Sequence, residues 1–232
     1  MNVQELLTNP PKIHGSEEAR TSIYRIEDAM FAFLDTYLRE GMNTLEIGAG
    51  TSTIIFAIKK TRHTCIVPDL KQLWRIKEYC ELHNISLDNV NFIIEKSQYA
   101  LPKITQRDHD CILIDGNHGF PVPFVDWYYC AGLLKLGGVV IVDDLYIWTC
   151  GILADFLREQ PEWRTIKETS RTMVSMKIME GSQDKEWTHQ KYVLRRSRAT
   201  AILPKISYIT NLLRRGQITL FFQNIILRIK RK

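Results

Sequence analysis

The chain has no acidic residue after Glu186, although eleven of its 31 lysines and arginines lie beyond that point. The preceding part carries 20 basic against 26 acidic residues, so the net charge of +5 describes neither part. A mildly acidic body with a basic tail whose charges are interrupted by apolar residues argues against a nucleic-acid partner. The sequence also lacks any run of 18 or more apolar residues, which excludes a membrane-spanning helix. Its start, Met1 to Pro11, has no basic region followed by an apolar core, and the expected location is the cytoplasm. Five cysteines (Cys65, Cys80, Cys111, Cys130, Cys150) without any C-x-x-C spacing support neither a disulfide framework nor a zinc cluster, and are expected reduced and mostly buried. With only 12 Gly and 8 Pro the chain is neither collagenous nor of low complexity. At 232 residues, 45% hydrophobic, it can bury the core of one α/β domain or of two small ones.

What is present is a series of short apolar runs rich in β-branched residues, alternating with longer segments of helical period. That alternation predicts βαβ units around a mainly parallel sheet. Strands are predicted over 44–47, 64–67, 90–94, 111–115 and 139–142, each mostly apolar, as a strand covered on both faces must be. Helices are predicted over 51–60, 70–83, 124–134 and 148–159, the third with Pro123 just before its start and a Gly137-Gly138 turn after its end. Two strand-like runs at 163–167 and 172–178 predict an antiparallel hairpin closing the sheet. Ahead of the first strand, residues 24–39 read as one or two covering helices and residues 9–15 as a loop.

The most informative stretch runs from Asn43 to Ala57, NTLEIGAGTSTIIFA: a strand, a glycine-rich turn and a helix. Gly48 and Gly50 allow close backbone approach to a ligand, and the helix start at Thr51 and Ser52 offers unpaired N–H groups. The nicotinamide pattern G-x-G-x-x-G fails because position 53 is Thr. Glu46, two residues before the first glycine, would repel a pyrophosphate but attract a ligand bearing an ammonium or sulfonium charge. The competing reading of Glu46 is a strand-end acid that caps the following helix.

This stretch closely resembles the first motif of class I S-adenosylmethionine-dependent methyltransferases. The resemblance extends to DCILIDGNH, residues 110–118, and to LKLGGVVIVDD, residues 134–144. They resemble that family's fourth strand, ending in Asp-Gly-x-His, and its fifth, opened by a Gly-Gly turn and ending in an Asp pair. The subgroup most similar contains small-molecule O-methyltransferases and relatives found among polysaccharide and natural-product genes. The resemblance implies a doubly wound, mainly parallel seven-stranded sheet with its last strand antiparallel. It also implies S-adenosylmethionine as cofactor, held by Glu46, Gly48, Gly50, Thr51, Ser52, Asp115 and Gly116. The organisation expected is residues 1–40 as an N-terminal loop and covering helices, 41–186 as the cofactor-binding domain, and 187–232 as a basic, partly amphipathic tail.

One position departs from the family. Where its second strand ends in an acid that holds the ribose hydroxyls, this chain has Val67. Asp69 is the substitute two residues on, or else it forms a capping box with Gln72. Ser97, after the third strand, is either an adenine contact or a helix cap.

Asp115, Asp143 and Asp144 end neighbouring strands on the side where open α/β sheets bind ligands. Converging carboxylates must be protonated, paired or bridged by a cation. The resemblance to metal-dependent O-methyltransferases implies a divalent cation on these three residues, and an oxygen-only donor set suits magnesium. The alternative is that Asp143 and Asp144 cap the next helix or pair with Lys or Arg. His118 is either a general base or a surface loop histidine. Together Asp115, His118, Asp143 and Asp144 are the candidates for taking up the acceptor's proton. His14 either reaches over the site as part of a lid or is simply exposed, and Trp127, Tyr128 and Tyr129 read as core or interface packing.

In the tail, Ile218, Phe222, Ile225, Ile226 and Ile229 recur at helical spacing ahead of Arg228-Ile-Lys-Arg-Lys232. Such a helix fits peripheral contact with an anionic membrane, homodimerisation, or packing on its own domain. The function expected is methyl transfer to an oxygen of a small-molecule or glycan-type acceptor. The alternatives are a non-catalytic scaffold with the same fold and a nicotinamide-dependent oxidoreductase.

Overall fold

The apolar, β-branched runs pair into a seven-stranded sheet in a computed structural model that describes residues 2–15, 20–21, 27–181 and 183–214. The chain divides into two units, residues 1–184 and 185–232. The first opens with helix α1 (Val3–Thr8), whose capping box joins Asn2 and Glu5. A two-residue ladder then pairs His14–Gly15 with Arg20–Thr21, and helix α2 covers Asp28–Tyr37. The expected covering helix thus forms from Asp28 onward, and residues 24–26 lie outside those described.

Strands and helices then alternate: β1 (Asn43–Ile47), α3 (Thr51–Ile58), β2 (Arg62–Ile66), α4 (Leu70–Leu82), β3 (Val90–Ile93) and the one-turn α5 (Ser97–Ala100). They continue as β4 (His109–Ile114), α6 (Val122–Leu133), β5 (Leu134–Val142), α7 (Trp148–Glu159), β6 (Trp163–Glu168) and β7 (Met173–Lys177). The sheet order is β3-β2-β1-β4-β5-β7-β6. β7 pairs antiparallel with both β5 and β6, whereas β1 to β5 pair in parallel, as the expected fold requires.

Side chains alternate between two cores, one on each face of the sheet. Cys65, Cys111, Leu113, Val139 and Ile141 pack with Phe31, Phe56 and Ile76 of α2, α3 and α4. Leu45, Ile47, Ile112, Ile114, Val140 and Val142 pack with Leu133, Leu153 and Leu157 of α6 and α7. All five cysteines are buried and free. Trp127 of α6 meets Phe156 of α7 edge-on at 4.9 Å, a packing contact.

Two local expectations need correction. Gly137 and Gly138 do not end a turn but lie inside β5, which starts directly after α6. A Cβ on Gly138 would stand 2.9 Å from the His109 carbonyl oxygen, so glycine is what lets β5 lie against the first residue of β4. Pro123 is inside the first turn of α6 rather than ahead of it, where its missing N–H has no helical partner to lose.

The second unit holds a one-turn helix at Trp187–His189 and helix α8 (Lys191–Arg214), which the sequence reading did not anticipate. It contains Pro204 and exposes Ile202, Ile206 and Tyr208. None of the described helices is long and apolar enough to cross a membrane. The amphipathic segment expected at 218–229 lies outside the described residues.

Candidate active site

The sheet order reverses between β1 and β4, and the loops leaving their carboxyl ends diverge to opposite faces. A cavity of about 640 Å³ opens there, lined on one side by the turn from Gly48 to Ser52 and on the other by Asp115 to His118. That size suits a nucleoside cofactor together with part of a small acceptor.

The two glycines of the turn have different work. Gly48 has φ +95°, and a Cβ on it would stand 2.0 Å from the Asp115 carbonyl oxygen. Gly116 reciprocates, since its Cβ would meet Ile47 Cγ2 at 2.8 Å. This pair lets the ends of β1 and β4 press together, and so it shapes the cavity floor. A Cβ on Gly50 would make only ordinary contacts, with His14 Nε2 at 3.8 Å and Ser52 Oγ at 3.9 Å. Thr51 and Ser52 begin α3 at the cavity wall, as expected.

Glu46 is placed elsewhere than the sequence reading put it. Strand alternation sends Leu45 and Ile47 to the α6–α7 core, and Glu46 therefore points to the α3 side. It is 1% exposed, does not line the cavity, and accepts hydrogen bonds from the hydroxyls of Ser52 and Thr53. His63 Nε2 lies 3.4 Å from its second oxygen, and His63 stacks on Phe56. Thr53 in turn accepts from Gly50 N at 3.0 Å. The carboxylate thus anchors the first turn of α3 from beneath, which is the helix-supporting alternative in another form. The signal was available in the period of two along β1.

Val67 is fully buried, while Asp69 lines the cavity and caps α4 by accepting from Lys71 N at 2.8 Å. Gln72 does not close a capping box; its amide faces His14 Nδ1 at 3.3 Å. Ser97 lines the cavity as the first residue of α5.

Across the opening, Asp115, His118, Asp143 and Asp144 all line the cavity. His118 stands between two carboxylates, with Nε2 3.7 Å from Asp115 and Nδ1 3.6 Å from Asp144. Its backbone is held by the Thr149 hydroxyl, which donates to the His118 carbonyl. Asp144 sits at φ +56°, a left-handed conformation that short polar side chains tolerate best. There it accepts from the Arg171 guanidinium at 2.8 Å, and Arg171 also lies over the Tyr146 ring at 5.3 Å. Asp143 is 2% exposed and accepts from the Thr172 hydroxyl.

Burial, with further push from the Asp143 and Asp144 charges, moves Asp115 up to about 7 against the pull of His118. Asp115 in turn raises His118 above its ordinary value despite burial. Burial likewise raises Asp143. These groups form one titrating set.

The donor set departs from the one expected for a divalent cation. Ligand atoms of Asp115, His118 and Asp144 lie within 4.8 Å of one another, but His118 brings a nitrogen into what was expected to be an oxygen-only set. Its two ring nitrogens already face the Asp115 and Asp144 carboxylates, at 3.7 and 3.6 Å. Arg171 already neutralises Asp144, and Thr172 engages Asp143. Asp144 is thus paired with an arginine, as one of the alternative readings had it. Arg171 was not singled out from the sequence, because it follows β6 in a turn with no motif around it.

Residues 45–145 match the family model described as a methyltransferase domain. Among solved structures, the chain is similar to a Klebsiella pneumoniae protein assigned as an O-methyltransferase, with TM-score 0.58 and 13% identity over 68% of this chain and 83% of that one. It is also similar to a Streptococcus mutans protein assigned as a methyltransferase and solved with S-adenosylhomocysteine, with TM-score 0.51 and 15% identity over 66% and 100% of the two chains. A third is an rRNA methylase from Streptococcus thermophilus, with TM-score 0.51 and 11% identity over 67% and 99%. A search of curated proteins returned no match. Residues 45–145 thus match a methyltransferase domain, and the strand order with the glycine turn at the switch point is that of the class I S-adenosylmethionine-dependent methyltransferase fold.

Proposed function

We propose that the protein transfers a methyl group from S-adenosylmethionine to an oxygen of a small-molecule or glycan-type acceptor, with the Asp115–His118–Asp144 set taking up the acceptor's proton. The observation that carries this reading is His118, held between two carboxylates at the cavity wall opposite the Gly48–Gly50 turn. When bound, S-adenosylmethionine supplies an electrophilic methyl group on a positively charged sulfur. The cavity of about 640 Å³ beside the Gly48–Ser52 turn supports its fit.

In this reading Gly50, Thr51, Ser52, Asp69, Ser97 and Gly116 line the cofactor's place. Glu46 and Gly48 act indirectly, by holding the turn in shape. Asp115 and Asp144 orient His118, and Asp115 shares the proton it receives. Arg171 holds Asp144 in place. A small acceptor is supported by the three carboxylates around the cavity, which would repel a phosphodiester backbone.

Calorimetric titration with S-adenosylhomocysteine, followed by transfer of labelled methyl from S-adenosylmethionine to hydroxylated acceptors, tests the proposal. Heat with neither cofactor form would leave the scaffold reading, and binding of NAD alone would leave the oxidoreductase. Turnover is expected to persist in excess chelator. Loss of turnover under chelation, restored by magnesium, would instead place a cation on Asp115, Asp143 and Asp144.

For the acid-free tail we propose contact with an anionic membrane surface at the cytoplasmic side. It is supported by exposed Ile202, Ile206 and Tyr208 on a helix without acidic residues.

A further inference from the structure

The N-terminal segment is strapped across the cavity by one face of α4. Residues 72, 75 and 79 lie at helical spacing on that face, and each receives a part of the strap. The Tyr79 hydroxyl donates to the Asn9 carbonyl at 2.8 Å. Arg75, 6% exposed, donates to the carbonyls of Ile13 and Gly15 at 2.7 and 2.8 Å. These are the two residues flanking His14, and Gly15 at φ +88° turns its carbonyl in a conformation that glycine adopts freely. Ile13, 1% exposed, pegs the same segment into the core.

His14 is therefore fixed between two clamped carbonyls at the cavity wall, with Nε2 3.8 Å from where a Cβ on Gly50 would stand. The Gln72 amide nitrogen, which only donates, faces Nδ1 at 3.3 Å. Nδ1 then accepts, and the ring proton sits on Nε2, the nitrogen nearest Gly50. Burial and the Arg75 charge hold His14 below its ordinary pKa, so the ring stays neutral. Beside it is Asp69, an acceptor close enough for its charge to act on the imidazole. A donor next to an acceptor, at the end of a strand that offers only apolar Val67, matches a vicinal diol: one hydroxyl accepts from the imidazole and one donates to the carboxylate.

We infer that His14 is a cofactor-binding residue which, with Asp69, grips the ribose hydroxyls of the nucleoside cofactor, and that Arg75 is the positioning residue that holds it there. This rests on the reading of the site as one for S-adenosylmethionine.

The test is calorimetry on the full chain with S-adenosylhomocysteine and with its 2′,3′-dideoxy analogue. His14→Ala is expected to weaken S-adenosylhomocysteine binding roughly 2- to 12-fold, the range for one neutral hydrogen bond. His14→Gln, which keeps an N–H donor, should recover most of the loss. Towards the dideoxy analogue, wild type and His14→Ala should agree within about twofold, since the deleted bond has no partner there. Arg75→Met, which keeps the buried stem, should cost about as much as His14→Ala, and the double variant no more than either. Equal affinity of wild type and His14→Ala for S-adenosylhomocysteine would overturn the inference and leave the methyltransferase reading intact. So would a loss of the same size towards the dideoxy analogue, which would move His14 to another part of the ligand. No binding by the wild type would overturn both readings.

Discussion

Replacing Glu46 by glutamine tests whether the acid beside the glycine turn holds the protein or holds the ligand. Its carboxylate is 1% exposed and accepts from two hydroxyls of α3, those of Ser52 and Thr53. The third neighbour, His63 Nε2 at 3.4 Å, is too far to count for much. Glutamine keeps the shape and one acceptor oxygen but turns the other position into a donor facing a donor. One charge-assisted bond is lost, for about 1.5 to 3 kcal/mol. For a chain of this length each kcal/mol lowers the melting temperature by roughly 2 to 4 °C, so a fall of roughly 3 to 12 °C is expected. Denaturant unfolding of Glu46→Gln, Thr53→Val and the double variant reads the coupling directly. The coupling should be about 1 kcal/mol or more, because both changes delete the same bond. Costs that add within about 0.5 kcal/mol, or an unchanged midpoint for Glu46→Gln with a large loss of S-adenosylhomocysteine affinity, would refute the anchoring role and return Glu46 to the cofactor.

Gly48→Ala should fail to fold or lose most of its stability, since the new Cβ would fall 2.0 Å from the Asp115 carbonyl oxygen at φ +95°. Gly50→Ala should fold normally and weaken S-adenosylhomocysteine binding, as circular dichroism and calorimetry on the pair will show. Methyl transfer should fall as pH drops below about 7, where Asp115 and His118 take up the protons that disable them as bases. Both hold protons more tightly folded than unfolded, so they also make stability decline as pH rises from about 4 to above 7, and Asp115→Asn should flatten that slope in melting curves. Arg171→Met removes a positive charge from beside Asp144 and should move the midpoint of the pH–rate profile upward; an unmoved midpoint would separate Arg171 from the titrating set. Cosedimentation with anionic vesicles should be strong at low salt for the full chain and lost in one ending at Arg215; equal binding of both would reject the membrane role, and conversion of a dimer to a monomer would reassign the tail to a subunit contact.

The short apolar, β-branched runs and the helical segments between them were enough to read the parallel sheet, its closing hairpin and the glycine turn. Each of those features depends on contacts near in sequence or on burial of a whole face. The residues around the cavity were legible where they stand at strand ends, as Asp115, His118, Asp143 and Asp144 do, because topology alone brings the ends of adjacent strands together. What the side chains do there was decided by partners remote in sequence. Glu46 was directed to two hydroxyls of α3 by its parity on β1. The acid cluster acquired its cation from Arg171, 27 residues beyond Asp144, and the cavity its cover from His14, clamped by Arg75 about 60 residues away. A charge is felt over a few ångströms whatever the separation along the chain, so only the folded arrangement shows which ones meet.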